Sequence, residues 1–305
     1  MPLTIEQVPQ RNAEHQSSCS LEQCISALEE LHFDPTDPDG VLEASAWLAK
    51  LTANRSFLAD ILIAKLASRE DNSIASGYGP QAIVLSPVRG NMFLRANIWP
   101  AEHDLCFKNS GAENFVYGIP HDHNFSFLTS GYLGPGYRSD HFEYEYEDVK
   151  GLPGEAVEMH YTGRTALGEG HIQLYRAHRD VHSQLPPESL SVSLNIMHVD
   201  PSQCWFDQYG FDLERREISR VLSPNASEVF LRVAVASGAD DALDFAEWVG
   251  DTHPSERLRL ASFEARAAVY QTPEARDALW REGEDCGSQM IAKVAKKRRA
   301  ALRPC

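Results

Sequence analysis

From Gln81 to about Phe211 the apolar residues come in short runs, each closed off by Gly, Pro, Asn or Asp. The runs are Ala82-Ile83-Val84-Leu85, Met92-Phe93-Leu94, Phe115-Val116-Tyr117, Phe125-Ser126-Phe127-Leu128, Tyr144-Glu145-Tyr146, Val157-Glu158-Met159-His160-Tyr161, Ile172-Gln173-Leu174-Tyr175 and Leu190-Ser191-Val192-Ser193-Leu194-Asn195-Ile196. About eight short strands separated by turn signals predict an all-β sandwich or barrel. The alternation in the last run sets Ser191, Ser193 and Asn195 on one face and Leu190, Val192, Leu194 and Ile196 on the other.

Helical patterns flank this region, so the chain as a whole reads as α+β. Ser20-Leu21-Glu22-Gln23 has the form of a capping box, followed by Leu21, Ile25, Leu28 and Leu31 at helical spacing. That helix ends before the turn cluster Asp34 to Gly40. A second helix is expected from about Val41 to Ala53 and a third from about Arg55 to Ser68, forming a helical cover over residues 1–78. After the β-region (79–212), the pairs Ser223-Pro224, His253-Pro254 and Thr272-Pro273 read as N-caps followed by Pro at the first helical position. Helices are expected over Pro224 to Ser237, Asp241 to Val249, Pro254 to Tyr270, Pro273 to Arg281 and Ser288 to Leu302. Together they form a hairpin-like helical segment over 213–305 that could pack on the barrel or receive a peptide or protein partner.

The 305 residues carry a formal net charge of −16, which argues against nucleic acid or an anionic membrane as the main partner. The basic end, from Lys293 to Arg303, suits the C-terminal dipole of a last helix. The six cysteines, Cys19, Cys24, Cys106, Cys204, Cys286 and Cys305, are scattered without a C-x-x-C pair, so they indicate neither a zinc knuckle nor a disulfide framework. The first twenty residues are polar and lack an apolar signal core, and no apolar run approaches membrane-spanning length. The expected compartment is the cytoplasm.

The chemistry concentrates at Gly118-Ile119-Pro120-His121-Asp122-His123. On extended backbone residues i and i+2 share a face, so His121 and His123 aim into one space while Asp122 points away. Such a pair is half of a metal site. Of the other histidines, His15, His32, His103 and His253 fall in helical or loop segments, whereas His141, His160, His171, His178, His182 and His198 fall within the β-region. The densest polar stretch there runs from Leu174 to Ser183 and holds His178, Asp180 and His182, which would share a face if one strand ran through them. The Gly131 to Tyr137 run lacks the Lys-Ser/Thr ending of a phosphate loop and reads as a tight hairpin.

An H-x-H, a Gly a few residues on, and a lone His some fifty to sixty residues later resemble the cupin fold, a double-stranded β-helix. Within it the pattern is most similar to the cysteine dioxygenase type of thiol dioxygenase. His121-Asp122-His123 stands as that family's first motif, and His182, after the Leu174 strand, stands where its third histidine falls. Ser191 to Asn195 and Cys204-Trp205-Phe206-Asp207-Gln208 resemble the segments beyond it. The likeness spans roughly residues 80 to 215. It implies a metal held by His121, His123 and His182 without a carboxylate, since Phe127 and Leu128 stand where many cupins have Glu. Two further departures follow, with one carry-over. No cysteine stands near Leu128 to cross-link to tyrosine, the family's active-site tyrosine would fall near Met197 or His198, and the substrate-carboxylate arginine would be Arg89 or Arg95.

Three neutral imidazoles leave a divalent charge uncompensated, so anionic ligands are favoured in the open positions. Iron(II) is the natural metal for dioxygen chemistry there, with other divalent metals open. His178, Tyr175 and Arg176 are candidate catalytic groups, and Arg95, Tyr132, Tyr137 and Asn195 are candidate substrate contacts. Gln173, Asp180, Gln184 and Asn195 are candidates to orient the imidazoles. The resulting expectation is a mononuclear non-haem iron oxygenase that uses dioxygen on a small polar substrate, amino-acid-like or sulfur-bearing. A non-redox metal isomerase or lyase, and a cupin-fold binding or regulatory protein, are the alternatives.

Overall fold

The computed structural model describes residues 2–5, 18–67, 81–223 and 226–302. The fold is mixed α+β, with antiparallel sheets and helices in two units. One unit comprises Met1–Tyr146, Val157–Pro201 and Gly210–Arg216; the other comprises Glu147–Ala156, Ser202–Tyr209 and Glu217–Cys305. His15 and Arg303 lie outside the described residues, as do the expected N-cap pair Ser223-Pro224 (at Pro224) and the end of the third helix at Ser68. Among the described residues no helix is long and apolar enough to cross a membrane.

The first unit begins with β1 (Leu3–Thr4), α1 (Leu21–Leu31), α2 (Pro38–Ala53) and α3 (Phe57–Ala67). Ser20 and Gln23 form the capping box in full: Gln23 N donates to Ser20 Oγ at 3.1 Å and Ser20 N donates to Gln23 Oε1 at 2.9 Å. α2 starts at Pro38, three residues before the expected Val41. The Asp37 carboxylate accepts from the amides of Asp39 and Gly40, and Pro38 needs no donor in the first turn.

The strands that follow are β2 (Ala82–Val84), β3 (Met92–Trp99), β4 (Phe127–Leu133), β5 (Arg138–Glu143), β6 (His160–Ala166), β7 (Ile172–Tyr175), β8 (Asp180–Leu185), β9 (Ser191–His198) and β10 (Tyr209–Asp212), with α4 (Leu105–Ser110) between β3 and β4. One antiparallel sheet has the order β1-β7-β4-β9-β3-β2 and another has the order β6-β5-β8. In the larger sheet, register pairs Asn195 of β9 with Arg95 of β3 and Thr129 of β4, which in turn pairs with Gln173 of β7. Alternation therefore gives two unlike faces. Leu94, Ala96, Leu128, Ile172, Leu174, Val192, Leu194 and Ile196 form one, packed with Leu28, Leu48, Leu51 and Phe57 of the helices into a single core. Each Val, Leu, Ile or Phe side chain buried there contributes roughly 1.5–3 kcal/mol. Arg95, Asn97, Thr129, Gln173, Ser193 and Asn195 share the other face with Phe127 and Tyr175. That face meets the smaller sheet, where Gln173 Nε2 donates to Thr165 Oγ1 at 3.0 Å and the Tyr175 ring lies 4.7 Å from that of His182.

Several expected strands shift. Phe115-Val116-Tyr117 is instead the end of a 3-10 turn, Ala112–Phe115, with Val116 at φ 60. Tyr144-Glu145-Tyr146 follows a strand rather than forming one. The strand candidates at Phe125 and Val157 begin only at Phe127 and His160. β5 and β8 went unforeseen because their inward residues are polar, which removes the apolar alternation that marks a half-buried strand. The Gly131 to Tyr137 run is not a hairpin, since it carries the chain from one sheet to the other. Its glycines are steric requirements: a Cβ on Gly131 would lie 2.1 Å from Gly168 O, and Gly136 sits at φ +81 against Leu167.

The second unit holds β11 (Glu217–Val221), α5 (Ala226–Ala236), α6 (Ala242–Thr252), α7 (Glu256–Val269), α8 (Pro273–Asp285) and α9 (Gln289–Leu302). Thr272 caps α8 with Pro273 at the first position, as the sequence pattern predicts. α7 is capped by Ser255, not His253, because the Ser255 hydroxyl accepts from Leu258 N at 3.3 Å. Phe263, Leu279, Trp280, Ile291 and Ala295 form the core of α7 to α9. On α5 and α6, Val229, Phe230, Val233, Phe245 and Trp248 are exposed.

If the helices and the sheet share one core, Leu48→Ala should cost about 2–5 kcal/mol in urea unfolding. Leu66→Ala, at a position 76% exposed, should stay within about 0.5 kcal/mol. Equal effects of the two substitutions would contradict the shared core.

Candidate metal centre

The H-x-H segment does not lie in a regular strand. His121 is a single bridging residue gripped on both sides. Its N–H donates to His182 O at 3.0 Å and it accepts from His182 N at 2.9 Å, while it bridges Gly210 of β10 on its other side. Gly118, at φ +69, turns the chain into this position, with its N–H on Gln184 O at 2.9 Å. His123 O accepts from His178 N at 2.8 Å. Between the two histidines, Asp122 is fully buried on the opposite side and accepts from Tyr144 Oη at 2.5 Å.

His182, on β8, completes a group of three buried histidines whose ligating nitrogens all lie within 4.8 Å of one another. His182 Nε2 is 3.2 Å from His121 Nε2 and 3.0 Å from His123 Nε2. Two nitrogens each about 2.1 Å from one ion at a right angle would be separated by about 3.0 Å, so the spacing is that of ligands sharing an ion. His121 Nδ1 meets Ile119 O at 2.8 Å and must therefore carry the hydrogen, which leaves Nε2 as the lone-pair donor. Burial, then the neighbouring His121, holds His123 and His182 well below the usual imidazole range. Both are thus in the neutral form a metal needs, and the donor set fits a divalent ion.

Around the nitrogens, Phe125 and Phe127 pack on the His123 ring at 4.8 and 5.0 Å. Tyr175 stacks on Phe127 at 4.7 Å and touches His182. The Gln184 amide reaches His182 Nε2 at 3.0 Å. Burial raises the phenol of Tyr175 well above its ordinary value and pushes that of Tyr137 up to about 12. Six buried polar atoms in this region, Tyr175 Oη, Ser139 Oγ, Thr129 Oγ1, Gln184 Oε1, His123 Nδ1 and His141 Nδ1, have no partner at hydrogen-bonding geometry. Native interiors leave few such atoms, so this concentration marks a place built for polar company.

Of the remaining candidates, Arg95, Tyr137, Asn195 and Tyr175 lie in the polar interior. Asn195 Nδ2 is spent on Asn97 Oδ1 at 3.4 Å. Tyr132 does not face the histidines. It points to the helix-covered side, where its hydroxyl donates to Asn54 O at 3.0 Å and its ring meets Phe57. Arg176 is held by Asp180 at 2.6 Å and Glu143 at 2.9 Å, so Asp180 serves that pair rather than an imidazole. His178 is in the turn before β8 at φ 58, with its ring against Tyr146, so no strand aligns it with His182. Arg89 pairs with Glu22 of α1. His141 was not singled out from the sequence. It stands opposite His182 in the β5–β8 register, and its Nε2 lies 2.7 Å from Thr165 Oγ1. The i, i+2 recurrence of Ser139 and His141 was the one signal that could have found it.

No family model and no curated protein matches the chain. Among solved structures, hydroquinone 1,2-dioxygenase from Sphingomonas sp. TTNP3, with 4-hydroxybenzoate bound, aligns at 8% identity over 42% of this chain and 71% of its own, with a TM-score of 0.25. DMSP lyase DddQ from Ruegeria pomeroyi DSS-3 aligns at 12% identity over 57% and 73%, with a TM-score of 0.24. A prolyl 4-hydroxylase from Phytophthora capsici aligns at 10% identity over 92% and 82%, with a TM-score of 0.25. At such TM-scores none of these likenesses carries an argument about fold or chemistry.

The buried histidines set a pH dependence. His141 is lowered to about 4, chiefly by burial, whereas an unfolded histidine titrates near about 6.5. Between these values the unfolded chain binds the extra proton, so stability is full above about pH 6.5 and is lost as pH falls through the folded value. Urea unfolding of metal-free protein at pH 7 and pH 5 should show this decline, and His141→Gln should lessen it, with the rest coming from His123 and His182. An unchanged decline in that variant would contradict the assignment.

Proposed function

We propose that the chain is a cupin-type mononuclear metal enzyme, a non-haem iron(II) oxygenase that uses dioxygen on a small polar substrate. The observation that carries this reading is the convergence of three buried imidazole nitrogens, with no carboxylate among them, on a polar interior. His121, His123 and His182 would hold the ion. Bound iron(II) supplies one-electron and dioxygen chemistry that no side chain can.

The chain's own groups bind and order the substrate. Three neutral ligands leave the site positively charged, so an anionic substrate atom (a thiolate or carboxylate) is drawn to it. The Arg95 guanidinium adds to that field from the polar face of the larger sheet. Phe125 and Phe127 exclude water from the His123 side. Tyr175 Oη keeps its proton at neutral pH because its phenol is raised, so it can donate a hydrogen bond to a developing anion. The same phenol favours one alternative, a non-redox lyase or isomerase in which the metal acts as a Lewis acid.

Purified protein is expected to bind close to one metal ion per chain, and His123→Ala to lose it. Full occupancy in the triple alanine variant of His121, His123 and His182 would overturn the site. After anaerobic iron(II) loading, oxygen uptake should be stimulated by a member of a panel of thiols and amino acids, and Tyr175→Phe should lower the rate roughly 10–100-fold with metal retained. Turnover of a panel member without oxygen uptake would favour the non-redox alternative instead.

A further inference from the structure

Cys19 and Cys24 flank the start of α1, one residue before the Ser20 cap and one turn into the helix. At these two positions an apolar pair commonly fastens a helix entrance. Here both side chains are thiols. Their Sγ atoms converge on one acceptor, Trp47 O of α2, at 4.0 and 3.7 Å. The backbone around them is pinned: Cys19 N donates to Lys50 O at 3.2 Å, Asn54 Nδ2 to Cys19 O at 3.0 Å, and Cys24 N to Ser20 O at 3.1 Å. Cys24 is fully buried, whereas Cys19 is 5% exposed and lines an open surface cavity of about 450 Å³ together with Gln23, Trp47 and Lys50.

We propose that Cys19 and Cys24 form a reversible dithiol–disulfide site, oxidised by a small hydroperoxide that enters through this cavity. The two sulfurs are not equivalent. The neighbouring Cys24 thiol, with Lys50 nearby, lowers Cys19, while Cys19 and burial raise Cys24. Cys19 is therefore the attacking sulfur and Cys24 the resolving one. With hydrogen peroxide, the Cys19 thiolate forms an S–O bond as the O–O bond breaks, giving a sulfenic acid and, after protonation, water. The Cys24 sulfur then displaces the hydroxyl as a second water and the S–S bond closes. Two thiols lose two electrons and two protons, and the peroxide takes up both.

The bridge would tie the chain ahead of α1 to its second turn. It would act on the helical cover, away from the histidines. α2 passes that restraint toward the sheet through Thr52, whose Oγ1 donates to Ser130 Oγ at 3.1 Å.

The test treats the full chain, as purified, with stoichiometric hydrogen peroxide and maps its peptides without reduction. The expected result is a Cys19–Cys24 peptide lighter by two hydrogens and restored by dithiothreitol. In Cys24→Ala the reaction should stop at a sulfenic acid on Cys19 that dimedone traps, and Cys19→Ala should give no adduct at Cys24. Oxidation of exposed Cys106 and Cys204 with the pair still reduced would overturn the proposal, as would sulfinic acid at Cys19 without a bridge.

Discussion

Alternation along the central strands of the larger sheet is the constraint on which the rest of the first unit depends. Because β9, β4 and β7 send aliphatic side chains one way and polar or aromatic ones the other, the sheet has an apolar outside and a polar inside. Such a sheet cannot stand alone in water. Its apolar face must be covered, and α1 to α3 cover it. In exchange, the opposite face is free to carry Arg95, Thr129 and Asn195 against the histidine-bearing sheet.

That division explains why the site can be both buried and polar. Buried polar atoms are costly unless they are well paired, and six in this interior have no partner at good hydrogen-bonding geometry. An ion at the three Nε2 nitrogens would touch none of these atoms itself, so a polar ligand beside it is what would meet them. The absence of a carboxylate from the trio has a direct electrostatic consequence. The charge of the ion is left for the substrate to balance, so affinity for an anion is built into the donor set.

Legibility followed the same physics. The capping box at Ser20, Pro273 at the start of α8 and the apolar runs of β2, β7 and β9 were readable because local chemistry alone decides them. His121 and His123, singled out by spacing, and His182, implied by the family resemblance, do converge in space, although His121 bridges two strands and His123 lies in a loop. β5 and β8 were missed because inward polar residues erase the hydrophobic period, and His141 was hidden in one of them. Tyr132, a candidate substrate contact in a stretch read as a hairpin, belongs to β4, where Thr129 and Gly131 face inward and Ser130 and Tyr132 outward. Arg176 and His178 looked catalytic because they are polar and close in sequence to His182, but an ion-pair network and a left-handed turn account for them.

The central claim is that three imidazoles hold one metal ion. X-ray absorption at the metal edge of the full chain, loaded anaerobically with iron(II), tests it most directly. The account predicts three imidazole nitrogens at about 2.1 Å, oxygen-like ligands in the remaining positions, no sulfur, and loss of one imidazole in His182→Ala. Sulfur in the coordination sphere, or a spectrum unchanged by that substitution, would contradict it.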